Sequence, residues 1–409
     1  MYGVDLTLGV EEEYQIVCPD TRDLHSYVRQ FLEQGRQIIP PGTIRPELME
    51  SQIEAGSNVC TSVAEIRSEV IRLRRMVSDL ARKNGLVICS AGTHPFASWG
   101  SQSLTGGERY RRFLSDMAGV AHQLLTFGLH VHVGFGKDPE ARDLLFEIGS
   151  QLRYFLPHIL AISTSSPFWQ GRDTGLKSYR NVILEMVPRT GIPSAFRSYS
   201  EYQALVNLLG QVGSIGTNSE GRPDATMIWW DLRYNPKYET MEIRIPDACT
   251  KVDEVVAVVT MVLVLVVRLV KLYRQNLSWR AYRRHHIVEN KWRAMRYGIE
   301  ESMIDFGKKA LIPTRDIMLG GMNKDLDSAE QMGCLEEFNY VRHILEHGTS
   351  ADRQLAVHRQ ALADGASQEE ALKAVVDHLT RETIEGVYPQ GQPGEPLPGI
   401  NTESPRCEP

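Results

Sequence analysis

Three glutamates stand in a row in LGVEEEYQIV, residues 8 to 17, inside a run that otherwise reads as a strand. Side chains alternate between the two faces of a strand. Glu11, Glu13 and Gln15 therefore share one face, and Glu12 falls with Leu8, Val10, Tyr14 and Ile16 on the other. A charge on that apolar face needs an edge position or a basic partner. The same sorting applies to FGLHVHVGF, where His130 and His132 share a face with Gly128 and Gly134. In TMEIRIPD, Glu242 and Arg244 oppose Met241, Ile243 and Ile245; in WWDLRYN, Asp231, Arg233 and Asn235 oppose Trp230, Leu232 and Tyr234. In ELMESQIEAG, Glu50, Gln52 and Glu54 oppose Met49, Ser51 and Ile53.

A sheet with one polar face in water would look similar, but a solvated face carries Lys, Thr and Ser. These faces carry Glu, His, Arg and Gly. If they converge, Glu11, Glu13, Glu50, Glu54 and Glu242 crowd one surface, and their repulsion requires cations between them. Hard oxygen ligands in that number suit Mg²⁺ or Mn²⁺. Neighbouring arginines suit phosphate or carboxylate oxygens, whose geometry matches the guanidinium fork. Metals, acids and arginines together point to phosphoryl transfer from a nucleotide. No G-x-x-x-x-G-K-[ST] loop and no G-x-G-x-x-G opening a helix is present, which excludes the P-loop and the usual dinucleotide fingerprint. A competing zinc hydrolase would use His130, His132 and His94 of AGTHPF, but it leaves the carboxylates unexplained. His94 also reads as a loop residue satisfied by local hydrogen bonds.

The elements that must hold these faces are legible in outline. The chain has 409 residues, 42% of them hydrophobic and 23% charged, with a net charge of −6. That balance is globular and offers no basic footprint for nucleic acid or a membrane surface. No secretory signal opens the chain, and VVAVVTMVLVLVV (255–267) is too short to span a bilayer, so it reads as a buried helix or strand. Six scattered cysteines are expected to be reduced thiols of a cytoplasmic protein. Amphipathic helices are expected after Ser62, with Glu65 in a capping box and Gly85 as the stop, after Ser200 with Gln203, and in SQEEALKAVVDHLTRETIEG. One domain is expected over 1–385, turning helical without further strands from about 300, followed by a Pro/Gly-rich disordered tail at 386–409.

The segments GVEEEYQ, ELMESQIEAGSNVC, AGTHPF, ERY, FGLHVHVG, STSSPFWQGRDTGLKSYR, WWDLRYNPKYETMEIRIPD and ENKWRAMRYGIE occur in an order that resembles the carboxylate–amine ligases of the glutamate–cysteine ligase type 2 group. The resemblance implies an α+β, glutamine-synthetase-like fold: a curved antiparallel sheet of about six strands with helices on its convex face. It implies an ATP- and Mg²⁺-dependent enzyme (Mn²⁺ possible) that makes an amide through an acyl phosphate, with glutamate joined to cysteine or another small amine. A homodimer and small-molecule substrates are expected with it. The implied metal ligands are Glu11, Glu13, Glu54, with Glu50 or Glu47 nearby, Glu242 and His130. Arg244, His130 and Arg233 are the implied catalytic groups, and Arg180, Arg244 and His132 the nucleotide-binding ones. A regulatory nucleotide-binding protein of the same fold is the alternative.

Overall fold

Seven strands form one antiparallel sheet in a computed structural model that describes residues 5–35 and 39–389. They are β1 (Thr7–Val17), β2 (Ile44–Pro46), β3 (Gln52–Gly56), β4 (Val87–Cys89), β5 (Leu129–Gly134), β6 (Leu232–Asn235) and β7 (Thr240–Ile243). The order across the sheet is β6-β7-β5-β1-β3-β2, with β4 paired to β1 through Gln15–Val17. The register aligns the polar faces. Glu11 lies opposite His130 and Gly56, Glu13 opposite Glu54, and Glu242 opposite both His132 and Arg233. Directly opposed residues of an antiparallel pair project to the same side, so five strands deliver their charged side chains to one surface.

The described helices are α1 (Val28–Gly35), α2 (Val63–Lys83), α3 (Glu108–Met117), α4 (Pro139–Leu152), α5 (Leu156–Ser163), α6 (Tyr179–Leu184) and α7 (Tyr199–Gln211). They continue with α8 (Val252–Arg274), α9 (Arg284–Tyr297), α10 (Thr314–Gln331), α11 (Leu335–His347), α12 (Ser350–Ala363) and α13 (Gln368–Thr383). The other face of the sheet packs on α2, α4 and α8, where Leu8, Val10, Leu129, Val131 and Val133 meet Val63, Ile66 and Val70 of α2 in one core. The apolar run at 255–267 is the middle of α8. By length and composition this helix could cross a membrane, yet 83% of its most apolar window is buried inside the protein. It is the core helix, covered by α2, α4, α5, α10 and α11.

Local signals set the helix ends. Ser62 accepts the Glu65 N–H at 3.2 Å, and the Glu65 carboxylate returns to the N–H of Thr61 at 2.7 Å. Gly85 follows at φ +68, a conformation glycine adopts without Cβ strain. Helix α7 starts earlier than expected, because Ser198 rather than Ser200 caps it and pairs with Glu201. Serine two residues either side of a helix start offers the same oxygen, and the chain geometry chose the first.

Two further expectations differ from the structure. A hairpin, β8 (Ser302–Asp305) and β9 (Ala310–Pro313), stands where no strand was expected after residue 300. It is mostly unburied and carries little apolar alternation, so periodicity could not signal it. The chain stays anchored beyond residue 386: Val387 is buried, its carbonyl accepts from Arg75, and the Tyr388 hydroxyl donates to Asp79 at 2.6 Å. Most of the predicted tail, 390–409, lies outside the described residues. Among the described residues, Cys60, Cys89, Cys249 and Cys334 are free and buried.

Candidate active site

Alternation in β1 sends its three glutamates to two different environments. Glu12 enters the helix side, 1% exposed, and meets Arg74 of α2, which is itself fully buried. Arg74 Nη2 and Nε donate to Glu12 Oε1 at 2.6 and 3.2 Å, and the Tyr14 hydroxyl donates to Oε2 at 2.7 Å. The remaining guanidinium hydrogens go to the carbonyls of Cys249, Thr250 and Thr383. The middle glutamate thus belongs to a buried clamp joining β1, α2, the start of α8 and the end of α13.

Glu11 and Glu13 point to the opposite face, into a cluster with Glu54, His130, His132 and Glu242. His130 sits at its centre: Nδ1 is 3.6 Å from Glu11 Oε2 and 3.9 Å from Glu242 Oε1, and Nε2 is 3.7 Å from Glu13 Oε1. His132 Nε2 is 3.4 Å from Glu11 Oε2, and its Nδ1 lies 2.8 Å from the Thr240 hydroxyl. Burial, reinforced by the Arg244 charge, lowers the His130 pKa, which keeps the ring neutral with a lone pair to offer. Burial opposes ionisation of Glu11, but the neighbouring imidazoles of His130 and His132 outweigh it and hold that carboxyl below the usual range. Glu54 goes the other way, raised by burial and by the nearby Glu11 and Glu47 charges, with Arg45 as a partial counterweight.

Two donor sets emerge that share His130. One ligand atom each from Glu11, His130 and Glu242 lie within 4.8 Å of one another, and the same holds for Glu13, Glu54 and His130. The Nε2 atoms of His130 and His132 are buried with no hydrogen-bond partner, an uncommon state for buried polar atoms. Carboxylate oxygens with one imidazole nitrogen, crowded and partly unsatisfied, fit hard divalent cations.

Arginines frame this cluster. Arg233 donates to both oxygens of Glu242 at 2.8 Å and to the carbonyls of Thr226 and Ile228, and Asn235 adds a third donor to Glu242 at 3.0 Å. Arg233 is therefore committed to orienting Glu242. Arg244 also pairs with Glu242 and lies 3.4 Å from His130 Nδ1. Despite burial, Arg233 and Arg244 hold the Glu242 carboxyl well below its normal range. Arg180 lies over Gly128, where any Cβ would overlap its guanidinium, and it donates to the carbonyls of Pro246 at 2.9 Å and Arg244 at 3.3 Å. Arg180 thus braces the end of the strand that carries Arg244, and its buried Nε has no partner.

Glu50 is the expected ligand that the structure does not bring to the cluster. A turn bonded from the Gln52 N–H to the Met49 carbonyl precedes β3, which breaks the alternation, and Glu50 pairs with Arg29 instead. Glu47 takes the nearer position, lining the same cavity as Glu13. Sequence reasoning also missed Arg45, whose Nη1 bridges Glu11 at 2.9 Å and Glu54 at 2.8 Å while Nη2 donates to the Tyr238 hydroxyl. Strand β2 has three residues, too few to show alternation. His94 is a satisfied loop residue: Nε2 bonds the Arg22 carbonyl at 2.9 Å and Nδ1 accepts from Phe96 and Ala97. The zinc reading loses its third ligand.

A cavity of about 700 Å³ opens on the Glu13 side of the cluster, with Gln52, Arg180, Asp231, Arg244, Phe113 and Trp229 among the residues that line it. Its size suits a small organic substrate, and it adjoins the Glu13 donor set together with Arg180 and Arg244.

The model of the family described as glutamate-cysteine ligase family 2 matches residues 7–378. A Roseiflexus sp. (strain RS-1) protein named "Putative glutamate--cysteine ligase 2" is 46% identical over 381 residues, covering 93% of this chain and 95% of that one. Among solved structures, the glutamate–cysteine ligase of Francisella tularensis in complex with AMP is similar at a TM-score of 0.64 and 13% identity, over 93% of this chain and 89% of that one. A bifunctional glutathione synthetase from Pasteurella multocida gives a TM-score of 0.62 at 13% identity, over 95% of this chain and 54% of that one. At those identities the likeness speaks to the fold, which is glutamine-synthetase-like.

Proposed function

The chain belongs to glutamate–cysteine ligase family 2 and is an ATP-dependent carboxylate–amine ligase; from that premise we propose that it joins the side-chain carboxyl of glutamate to the amine of cysteine or another small amine. A substrate carboxylate oxygen attacks the γ-phosphorus of ATP, the bond to the bridging oxygen breaks, and ADP leaves. The amine nitrogen then attacks the carbonyl carbon of the acyl phosphate, and phosphate departs with the C–O electrons.

The observation that carries this reading is the pair of donor sets sharing His130, Glu11–His130–Glu242 and Glu13–Glu54–His130. In the proposal these residues hold Mg²⁺ or Mn²⁺. Such ions, when bound, neutralise the charge that builds on the triphosphate. Arg233 and Asn235 fix Glu242, so that its orientation does not depend on the ligand. Arg244 places a guanidinium beside the transferred phosphoryl group, and Arg180 supports it from behind. The cavity beyond Glu13 takes the carboxylate and the amine.

A phosphate-release assay with ATP and Mg²⁺ over a panel of amino acids and amines tests the proposal. Release that requires both a carboxylate and an amine, with an amide identified by mass spectrometry, supports it. ATP hydrolysis indifferent to both would overturn it. Preference for an amine other than cysteine would redefine the acceptor alone.

A further inference from the structure

Lys291 of α9 is a charge without access to water. It is 1% exposed, and its ammonium lies 2.8 Å from Asp231 Oδ2 and 3.0 Å from Glu185 Oε1. Taking an ammonium out of water costs several kcal/mol unless geometry repays it, and packing alone would be served by Leu or Met. Its partner Asp231 is 4% exposed and lines the cavity beside Arg244, whose backbone N–H donates to the Asp231 carbonyl at 2.8 Å.

The ligase reaction needs a proton acceptor beside the amine. An amine substrate arrives as an ammonium ion with no lone pair, and it must lose a proton before it can attack. Among the described acids lining the cavity, Glu13 accepts the Gly128 N–H at 2.6 Å and belongs to a donor set for cations. Asp224 is occupied in capping its own turn, accepting from the Thr226 N–H at 3.0 Å and hydroxyl at 2.6 Å. Glu108 stands exposed at the start of α3, and Glu47 acts on Glu54 as part of the acidic cluster. Asp231 stands apart from both donor sets, shielded from water and held next to Arg244.

We infer that Asp231 receives the ammonium of the amine substrate and accepts one proton from it before the C–N bond forms, with Lys291 as the positioning residue that holds the Asp231 carboxylate in place. This rests on the carboxylate–amine ligase reading. Asp231 first takes one proton from the bound ammonium, which frees the nitrogen lone pair to attack the acyl carbon; the C–O bond to phosphate breaks, and phosphate leaves with that electron pair and carries off the second nitrogen proton. The proton on the Asp231 carboxylate goes to solvent on product release. General-base assistance of this kind is worth roughly 100- to 10,000-fold.

The test compares two nucleophiles on Asp231→Asn. Hydroxylamine is largely unprotonated at neutral pH and needs no base, so it traps the acyl phosphate as a hydroxamate. The variant should lose at least 100-fold in kcat with an ammonium-bearing amine, while hydroxamate formation falls only a few-fold. Lys291→Met should show the same selective loss in milder form, and Lys291→Arg should restore much of it. Parallel losses with both nucleophiles, or no loss with the amine, would overturn the assignment. If Asp231→Asn does not fold, Asp231→Glu with the same two nucleophiles decides it: a selective loss supports the role and a parallel one refutes it. Wild-type protein that forms no hydroxamate with ATP would instead refute the ligase reading itself.

Discussion

Replacing Glu12 by Gln should damage stability and spare the chemistry, although Glu11 and Glu13 on either side face the reaction. Glu12 is 1% exposed and its two oxygens take two bonds from Arg74 and one from Tyr14. Gln keeps the shape but removes the charge and turns an NH₂ toward a guanidinium or a hydroxyl. Arg74 would then be a fully buried cation whose remaining partners are three carbonyls. Breaking a buried ion pair by removing one partner costs about 3–5 kcal/mol, a large share of the roughly 5–15 kcal/mol that holds a typical domain together. Urea denaturation measures this directly, with activity read at a temperature where both proteins are folded. Arg74→Met should cost at least as much, since the carbonyls of Cys249, Thr250 and Thr383 lose their donor. The double variant Glu12→Leu with Arg74→Met should lose less than the sum of the singles, because no charge is left uncompensated. Additive losses, or an unchanged Glu12→Gln protein, would refute the reasoning.

Glu13→Gln should do the reverse, keeping stability while lowering phosphate release by more than about 100-fold, the scale on which single electrostatic groups act in catalysis; equal turnover in the two would count against the assigned role. Gly128→Ala should push Arg180 off its carbonyl partners and raise KM or lower kcat, checked by kinetics alongside a melting curve. Acid should destabilise the fold through His94 and His158, which burial holds down to about 3 and about 4 from 6.5. The unfolded chain binds these protons near pH 6.5 and the folded chain does not, so the contribution is full above 6.5 and is lost as pH falls toward the folded values. The loss is about 1.4 kcal/mol per pH unit per group. His94→Asn should flatten urea stability between pH 6.5 and 5, and an identical slope would refute the attribution. Chelation of divalent cations should abolish phosphate release, with recovery on adding Mg²⁺ or Mn²⁺, as followed by the same assay.

Much of the site could be read from period-two alternation, because a regular strand leaves its side chains no other option. That rule alone separated Glu12 from Glu11 and Glu13 and required an edge position or a basic partner for it. It also placed His130, His132, Glu242 and Arg244 on matching faces, and the length and apolarity of 255–267 marked a buried segment. The rule failed at Glu50, where a turn before β3 resets the alternation and Arg29 collects the side chain. It was silent on Arg45, since a three-residue strand carries no period. It could not say that Arg74, one polar residue among many on α2, would be the partner of Glu12. Nor could it find Lys291, from a helix 60 residues beyond Asp231 in the sequence. Which face a residue takes is a local property of backbone geometry, and the sequence by itself determined that. Which charges meet depends on how distant segments pack, and a buried ion pair forms only where two such segments bring opposite charges within about 3 Å; only the tertiary structure decided that.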